Sequence, residues 1–323
     1  MLFRRGAWLA VLLSALAPTE AVQAQTNPQR TITLVVSQAP GGGVDTIARL
    51  MAEKLSNRLK QPMMVENKTG AGGMLGADAV AKAAPDGNTL FLMENASILH
   101  KWLHKSVPYD VAQDFAPIAL IATTPLFLFA HPSTSTNDVK DVIAEARANP
   151  GKLSVGTPGI GTPHHLAMLM MNAAARIDIT HVSYRGTAPS LNDLIGGQIP
   201  MIWATPIAVL PHVAAGKVKA LGVASLQRVA LLPDVPTIAE NALPGFDVDI
   251  WFGIAAPGKT PRDSIERLAT AVREVTELPE VQSRMQALGF ALDYRGSEAF
   301  RTLVLGDHER FGKIIRDAGI EPK

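Results

Sequence analysis

Two stretches of this chain have the composition of an anion-binding mouth: Pro40-Gly41-Gly42-Gly43-Val44-Asp45 and Thr157-Pro158-Gly159-Ile160-Gly161-Thr162-Pro163. Each stands between a short run of strand-forming residues and a segment with apolar side chains at helical spacing. A strand that passes through glycines into a helix leaves the first helical N–H groups free, and the helix dipole behind them favours negative charge. In the second stretch Thr162 is a good N-cap and Pro163 suits the first helical position. One such loop is common turn chemistry in an α/β protein, whereas two facing each other across a cleft would grip an anion from both ends. Gly70-Ala71-Gly72-Gly73 has the same form but follows a short strand, and it reads as a structural turn.

Other side chains are read against these two loops. His164 and His165 sit in the first helical turn after Thr162, where adjacent side chains point roughly 100° apart. No carboxylate or third histidine lies nearby at ligand spacing, so no metal site is expected. A neutral His164 reads as a donor to a bound anion and His165 as a packing residue. Tyr184-Arg185-Gly186 ends a strand at the carboxyl edge, where α/β sheets place ligands. There Arg185 either pairs with a carboxylate or is a solvated surface cation. Asn95 and Ser97 follow a strand at the same edge of the first domain. The patterns G-x-S-x-G, G-x-G-x-x-G and H-E-x-x-H do not occur, so no catalytic residue and no cofactor is expected.

The chain has 323 residues, of which 47% are hydrophobic and 18% charged, enough for a large core and too many for one ordinary domain. With no cysteine, the fold must rest on packing alone. Arg4 and Arg5 precede the apolar run Ala7 to Ala17, and Val22-Gln23-Ala24 offers small residues to a signal peptidase. That run is far shorter than the roughly 20 residues of a membrane span. Residues 1–24 therefore read as a signal peptide cleaved after Ala24, and the mature protein as periplasmic. Cleavage takes the formal charge from +1 to zero. A chain so balanced lacks the clustered cations that nucleic acid or an anionic membrane surface requires.

Strand patterns at Ile32 to Val36, Met63 to Glu66 and Thr89 to Met93 alternate with helical ones, which predicts a doubly wound, mainly parallel sheet. A long apolar pattern from Ile118 to Ala130 reads as a crossover into a second α/β domain. That domain carries helices at Val139 to Ala148, Pro163 to Ala175 and Ser190 to Ile195. Its strands are expected at Leu153 to Gly156, His181 to Tyr184, Met201 to Ala204 and Ala220 to Ala224. Trp251 to Ala256 reads as the returning strand, followed by helices Pro261 to Glu277, Pro279 to Leu288 and Ser297 to Asp317. The predicted division is residues 25–126 plus 250–323 for domain 1 and 127–249 for domain 2, with two chain crossings forming a hinge. Trp203 and Trp251 read as core residues, Trp251 lying at that hinge.

Ordered stretches along the mature chain resemble one family. They include Pro40-Gly41-Gly42-Gly43-Val44-Asp45-Thr46-Ile47-Ala48-Arg49, Val65-Glu66-Asn67, Ala84-Pro85-Asp86-Gly87 and Val107-Pro108-Tyr109-Asp110. They continue through Val182-Ser183-Tyr184-Arg185-Gly186, Leu232-Pro233-Asp234-Val235-Pro236-Thr237 and Trp251-Phe252-Gly253. The family is the tripartite tricarboxylate transporter substrate-binding proteins, the Bug/TctC-like or Bordetella uptake gene receptors. The resemblance implies a type II periplasmic-binding-protein (Venus flytrap) fold of two α/β domains. It implies that one end of a carboxylate ligand meets backbone groups and ordered water around Gly42 and Gly43, while the loop near Thr162 and His164 closes over the other. It also implies delivery of the cargo to a two-component integral-membrane permease; a monomer is expected.

The expected ligand-binding residues are therefore Pro40, Gly42, Gly43, Val44, Asp45, Asn95, Ser97, Gly161, Thr162, His164, Tyr184, Arg185, Ala204 and Thr205. Departures from the family pattern fall where the ligand would be read. Ala204 stands where the family often has an aspartate suited to an ammonium group, Pro163 and His164 replace small polar residues, and Met93-Glu94-Asn95-Ala96-Ser97 replaces a smaller loop. The expected cargo is a non-amino dicarboxylate, aromatic ones included. Competing roles are a sensor that reports to a membrane kinase and, behind it, a hydrolase or lyase.

Overall fold

The computed structural model describes residues 30–317 and 319–322, so the expected signal peptide lies outside the described residues. The β-branched and aliphatic run Ile32–Val36 forms β1 and is almost wholly buried. From it the chain passes through the glycines into α1, Gly43–Leu59, whose buried face carries Val44, Ile47, Ala48, Met51, Ala52 and Leu55. Lys60 ends that helix in the left-handed region. Next come β2 (Met63–Asn67), α2 (Met74–Ala81), β3 (Thr89–Glu94), α3 (Ala96–Leu103) and β4 (Phe115–Pro125).

One residue, Leu126, separates β4 from β5 (Phe127–Ala130), and these two strands belong to different sheets. The second sheet is built from α4 (Val139–Ala148), β6 (Ser154–Thr157), α5 (Pro163–Ala175), β7 (Thr180–Ser183), α6 (Thr187–Ile195), β8 (Met201–Ala204), α7 (Pro206–Ala214) and β9 (Lys219–Val223). After α8 (Ile238–Asn241) the chain returns along β10 (Asp249–Pro257) and finishes with α9 (Arg262–Thr276), α10 (Pro279–Ala287), β11 (Ala291–Gly296) and α11 (Ser297–Asp317).

The six-stranded sheet has the order β11-β4-β10-β3-β1-β2 and the five-stranded sheet β7-β6-β8-β5-β9. The α/β class and the two-sheet architecture agree with the sequence, but each sheet is mixed rather than mainly parallel. β1 pairs in parallel with β2 and β3, and β6 with β7 and β8. The strands that carry the chain out and back are antiparallel: β10 lies between β3 and β4, and β5 between β8 and β9. The reason is geometric, since a strand that leaves one sheet and a strand that re-enters it run in opposite senses when they are neighbours. Asp249 of β10 pairs with Pro125 of β4, next to the switch at Leu126.

Helices cover the sheets through their apolar faces. α9 illustrates the pattern, with Ile265, Leu268, Ala271, Val272 and Val275 buried at helical spacing. Trp203 is fully buried and stacks on Phe246. Trp251 is buried beside the switch and donates its indole N–H to Asp307 at 2.9 Å. Among the described residues no helix is long and apolar enough to cross a membrane.

Candidate functional site

The carboxyl ends of the parallel strands in both sheets point their loops into one cavity of about 440 Å³. From the first sheet come Ser37, Gln38 and Ala39 after β1, the Thr69 to Gly73 turn after β2, and His104 at the end of α3. From the second come Pro158, Gly159, Ile160 and Thr162 after β6, and Ser183 to Gly186 after β7.

The approach of the two sets of loops is close enough to require glycine. A methyl group on Gly72 would lie 1.8 Å from the Ile160 carbonyl oxygen, and one on Gly161 would lie 2.7 Å from His104 Nε2. The Gly70 to Gly73 turn, read from sequence as structural, is thus a wall of the cavity. Its composition resembles that of the other two loops, and its short preceding strand concealed its place. His100 fixes this turn, with Nε2 at 3.1 Å from the Gly72 carbonyl oxygen and Nδ1 against the Tyr109 hydroxyl. Burial pushes the His100 imidazole down to about 4, so the ring is neutral at neutral pH.

The loop after β1 is rigid for a different reason. Asp45 accepts from the Gly41 amide at 3.1 Å, from Asn67 at 3.0 Å and from Arg49 at 2.9 Å. Burial acts to raise its pKa, and the bonds from Arg49, Asn67 and Gly41 outweigh burial and hold the carboxyl below its usual range. Asp45 therefore shapes the loop as an internal brace. Gly42 occupies the N-cap of α1 with no side chain on the first-turn amides. Gly43 faces the second sheet, where a methyl group would meet Ile207 at 3.1 Å and Thr205 at 3.3 Å. Pro40 is exposed and Val44 buried.

On the opposite side Thr162 caps α5, accepting from the His165 amide and donating to the Gly159 carbonyl oxygen at 2.7 Å. His165 stacks on His181 and receives the Gly161 amide, so it braces the loop from behind. His164 is 2% exposed, and neither ring nitrogen has a hydrogen-bond partner among the described residues. Burial pushes its imidazole down to about 3. Tyr184 lines the cavity, and its hydroxyl donates to Asp193 at 2.8 Å. Arg185 is exposed and lines the cavity without an ion pair or side-chain hydrogen bond among the described residues.

Of the residues expected at the site, Thr162, Tyr184 and Arg185 line this cavity. Pro40, Gly42, Gly43, Val44, Asp45 and Thr205 are not among its lining residues; Gly43 approaches Thr205 and Ile207, Val44 is in the core and Asp45 is bound to Gly41, Asn67 and Arg49. Gly161 packs against His100 and His104. Asn95 is bound to β10, donating to Asp249 O and accepting from Trp251 N. Ser97 is buried with its carbonyl oxygen on Tyr109, and Ala204 is fully buried.

Gly253-Ile254-Ala255-Ala256-Pro257-Gly258-Lys259-Thr260 spells the spacing G-x-x-x-x-G-K-[ST] of a nucleotide phosphate loop. The structure gives it no cradle. Gly253 to Pro257 are strand β10, and a methyl group on Gly258 would lie 2.0 Å from the Gln113 carbonyl oxygen. Among the described residues no cluster of three or more His, Asp or Glu could hold a metal ion.

A cleft of this form, walled by glycine loops from two α/β sheets, is the geometry of a solute-binding protein. The sequence profile described as "Tripartite tricarboxylate transporter family receptor" matches residues 47–320. The chain belongs to that family. Solved structures similar to this receptor include the periplasmic binding protein BugD, 33% identical with a TM-score of 0.86 over 91% of this chain and 99% of that one. Rpa4515 of R. palustris, solved with adipate, is 30% identical with a TM-score of 0.87 over 91% of this receptor and 99% of its own chain. MatC of Rhodopseudomonas palustris, with bound malate, is 33% identical with a TM-score of 0.83 over 88% and 99%.

Proposed function

We propose that this receptor captures a small non-amino dicarboxylate between its two lobes and hands it, unchanged, to an integral-membrane permease. The lobes are taken as residues 25–126 with 250–323 and residues 127–249, joined at the two crossings beside Leu126 and Asp249. The observation that carries the reading is the cavity itself, with amide-rich loops on both sides and Arg185, which has no ion pair among the described residues, in its lining. Helix N-terminal amides and a guanidinium are the groups that recognise carboxylates. Ala204, fully buried where a family aspartate often stands, leaves that position without a charge to hold an ammonium group. The adipate and malate bound by similar proteins fit the same class. Closure follows because a ligand that touches both lobes binds the closed arrangement better and shifts the population toward it.

The test is thermal unfolding and calorimetry of residues 25–323 against terephthalate, phthalate, adipate, malate, citrate, succinate and glutamate. A ligand present at about 100 times its Kd adds about 2.7 kcal/mol of stability and raises the melting temperature. Glutamate as the tightest ligand would end the non-amino reading, and silence from every acid would end the carboxylate reading. Chemical change of the ligand on prolonged incubation would show a turnover this reading excludes.

A further inference from the structure

Glu94 ends β3 behind the cavity wall, and ligand capture as described does not use it. Its side chain is 1% exposed. Gln38 Nε2 donates to Oε1 at 2.5 Å, while Oε2 has no hydrogen-bond partner among the described residues. The Ser37 hydroxyl lies near enough to favour the charged form without making a well-formed bond. Gln38 and Ser37 both line the cavity, so the carboxyl stands one side chain behind the space where an anion would rest.

Among the described residues no cation is paired with it. Its ladder partner on β10 is Phe252, and the adjacent Asn95 amide is committed to the β10 main chain. Of the titratable groups on neighbouring elements, His100 of α3 is engaged with Tyr109 and Gly72 and Asp45 of α1 with Arg49 and Asn67, while Asp249 of β10 is a second buried carboxyl, raised to about 7 by burial and by the charge of Asp247, which the Glu94→Gln variant leaves in place. Burial pushes the Glu94 carboxyl up to about 7, against the weaker pull of Gln38 and Ser37.

The two protonation states present different walls to the cavity. Ionised, Glu94 accepts only; it holds the Gln38 amide N–H away from the cavity and sets an uncompensated negative charge behind it. Protonated, it donates to the Gln38 amide oxygen, which turns the amide N–H toward a bound carboxylate and removes the repulsion.

We propose that Glu94 is a positioning residue that couples capture of a carboxylate to uptake of one proton from solvent, which comes to rest on its own carboxyl group. The proposal rests on the carboxylate reading above and adds to it a pH dependence specific to this chain.

The experiment is calorimetry of the mature protein with terephthalate, adipate and malate from about pH 6 to about pH 8.5, in two buffers of different ionisation enthalpy, for the wild type and Glu94→Gln. With one linked proton on a group near pH 7, wild-type affinity falls at most about 30-fold across this range. The buffer-dependent heat reports uptake of as much as one proton. Glu94→Gln, isosteric and uncharged, keeps the low-pH affinity throughout and loses the buffer dependence. A flat wild-type profile with no proton uptake overturns the proposal, and the wild-type measurement decides this even if the variant fails to fold. An unchanged pH profile in Glu94→Gln also overturns it, and so does an affinity that rises with pH, which would make Glu94 the partner of a cationic ligand group. If none of the acids binds at any pH, the carboxylate reading fails, and that outcome is distinct from binding that ignores pH.

Discussion

Replacing Gly72 by alanine separates the energetics of closure from those of folding. The new methyl group would lie 1.8 Å from the Ile160 carbonyl oxygen on the opposite loop, roughly 1.5 Å short of ordinary contact. Because the obstacle is main chain, no side-chain rotation relieves it, and the loops must separate. Gly72 also has a φ of 64°, a conformation that costs a non-glycine residue about 1 kcal/mol. The backbone cost is present whether the cleft is open or closed, whereas the collision exists only when the loops face each other. Taking the collision at about 2–3 kcal/mol, the upper range for overpacking, apparent affinity should fall roughly 30- to 150-fold. The ligand-free melting temperature should drop only about 2–4 °C, the shift expected from about 1 kcal/mol in a protein of this size. Gly41→Ala is the control, with a φ of 86° and nothing within 4 Å of the added methyl group, so it should lower stability and leave affinity in place. Calorimetry with the tightest acid from the panel, beside thermal unfolding of the free proteins, measures both quantities. Wild-type affinity in Gly72→Ala, or an equal loss in Gly41→Ala, would refute the argument.

Arg185→Gln should leave the melting temperature unchanged, because the guanidinium makes no internal ion pair or side-chain hydrogen bond among the described residues. It should weaken carboxylate binding by about 10- to 100-fold, the range for one charge-assisted hydrogen bond, and titrations at two salt concentrations should show a shallower salt dependence. His164→Leu should raise stability at neutral pH by about 1 kcal/mol, since both ring nitrogens are buried without partners. The His164 imidazole is lowered by burial from an ordinary 6.5 to about 3, so the unfolded chain protonates first. Stability therefore declines as pH falls from about 6.5 toward 3; urea unfolding at several pH values should show a flatter acid limb in the variant. Asp45→Asn should act on the same limb further down. The folded carboxyl titrates below its ordinary 3.8, so its contribution is present above that value and is lost as pH falls through the folded one. The variant should be less stable than wild type at pH 7, with the gap closing in acid.

The fold was legible wherever local pattern and burial agree. α5 is predicted and observed as Pro163 to Ala175, because Thr162 caps its first turn and Pro163 fixes its start. α11 is predicted and observed as Ser297 to Asp317. The elements that escaped lack such a mark. α3 begins at Ala96 directly after β3, with Asn95 turned to β10 instead of capping the helix. α7 has Pro206 at its start and Pro211 inside it, which argues for a loop on local grounds. β11 carries Asp293 and Arg295 and pairs only with β4 at the sheet edge, so it has no continuous apolar run. The direction of β4, β5 and β10 is a property of how the chain crosses between sheets, and no local pattern encodes it.

The site shows the same division at closer range. Composition pointed to the loops after β1 and β6 because glycines before a helix have a local meaning. It gave Gly70 to Gly73 no special weight because what requires glycine there is not local. Gly72 is constrained by a carbonyl oxygen 88 positions away, Gly161 by His104, and Gly43 by Thr205 and Ile207. Each of these contacts joins the loops of one sheet to those of the other. Glu94 is the polar counterpart. In sequence it is an acidic residue at the end of a strand, and its buried setting and the bond from Gln38 appear only once β1 and β10 are placed on either side of β3. Residues that answer to the opposite sheet's loops, or to a strand remote in sequence, are those on which the proposed closure and the charge of a bound carboxylate would act. That is why substitutions at Gly72 and Glu94 should alter binding more than they alter folding.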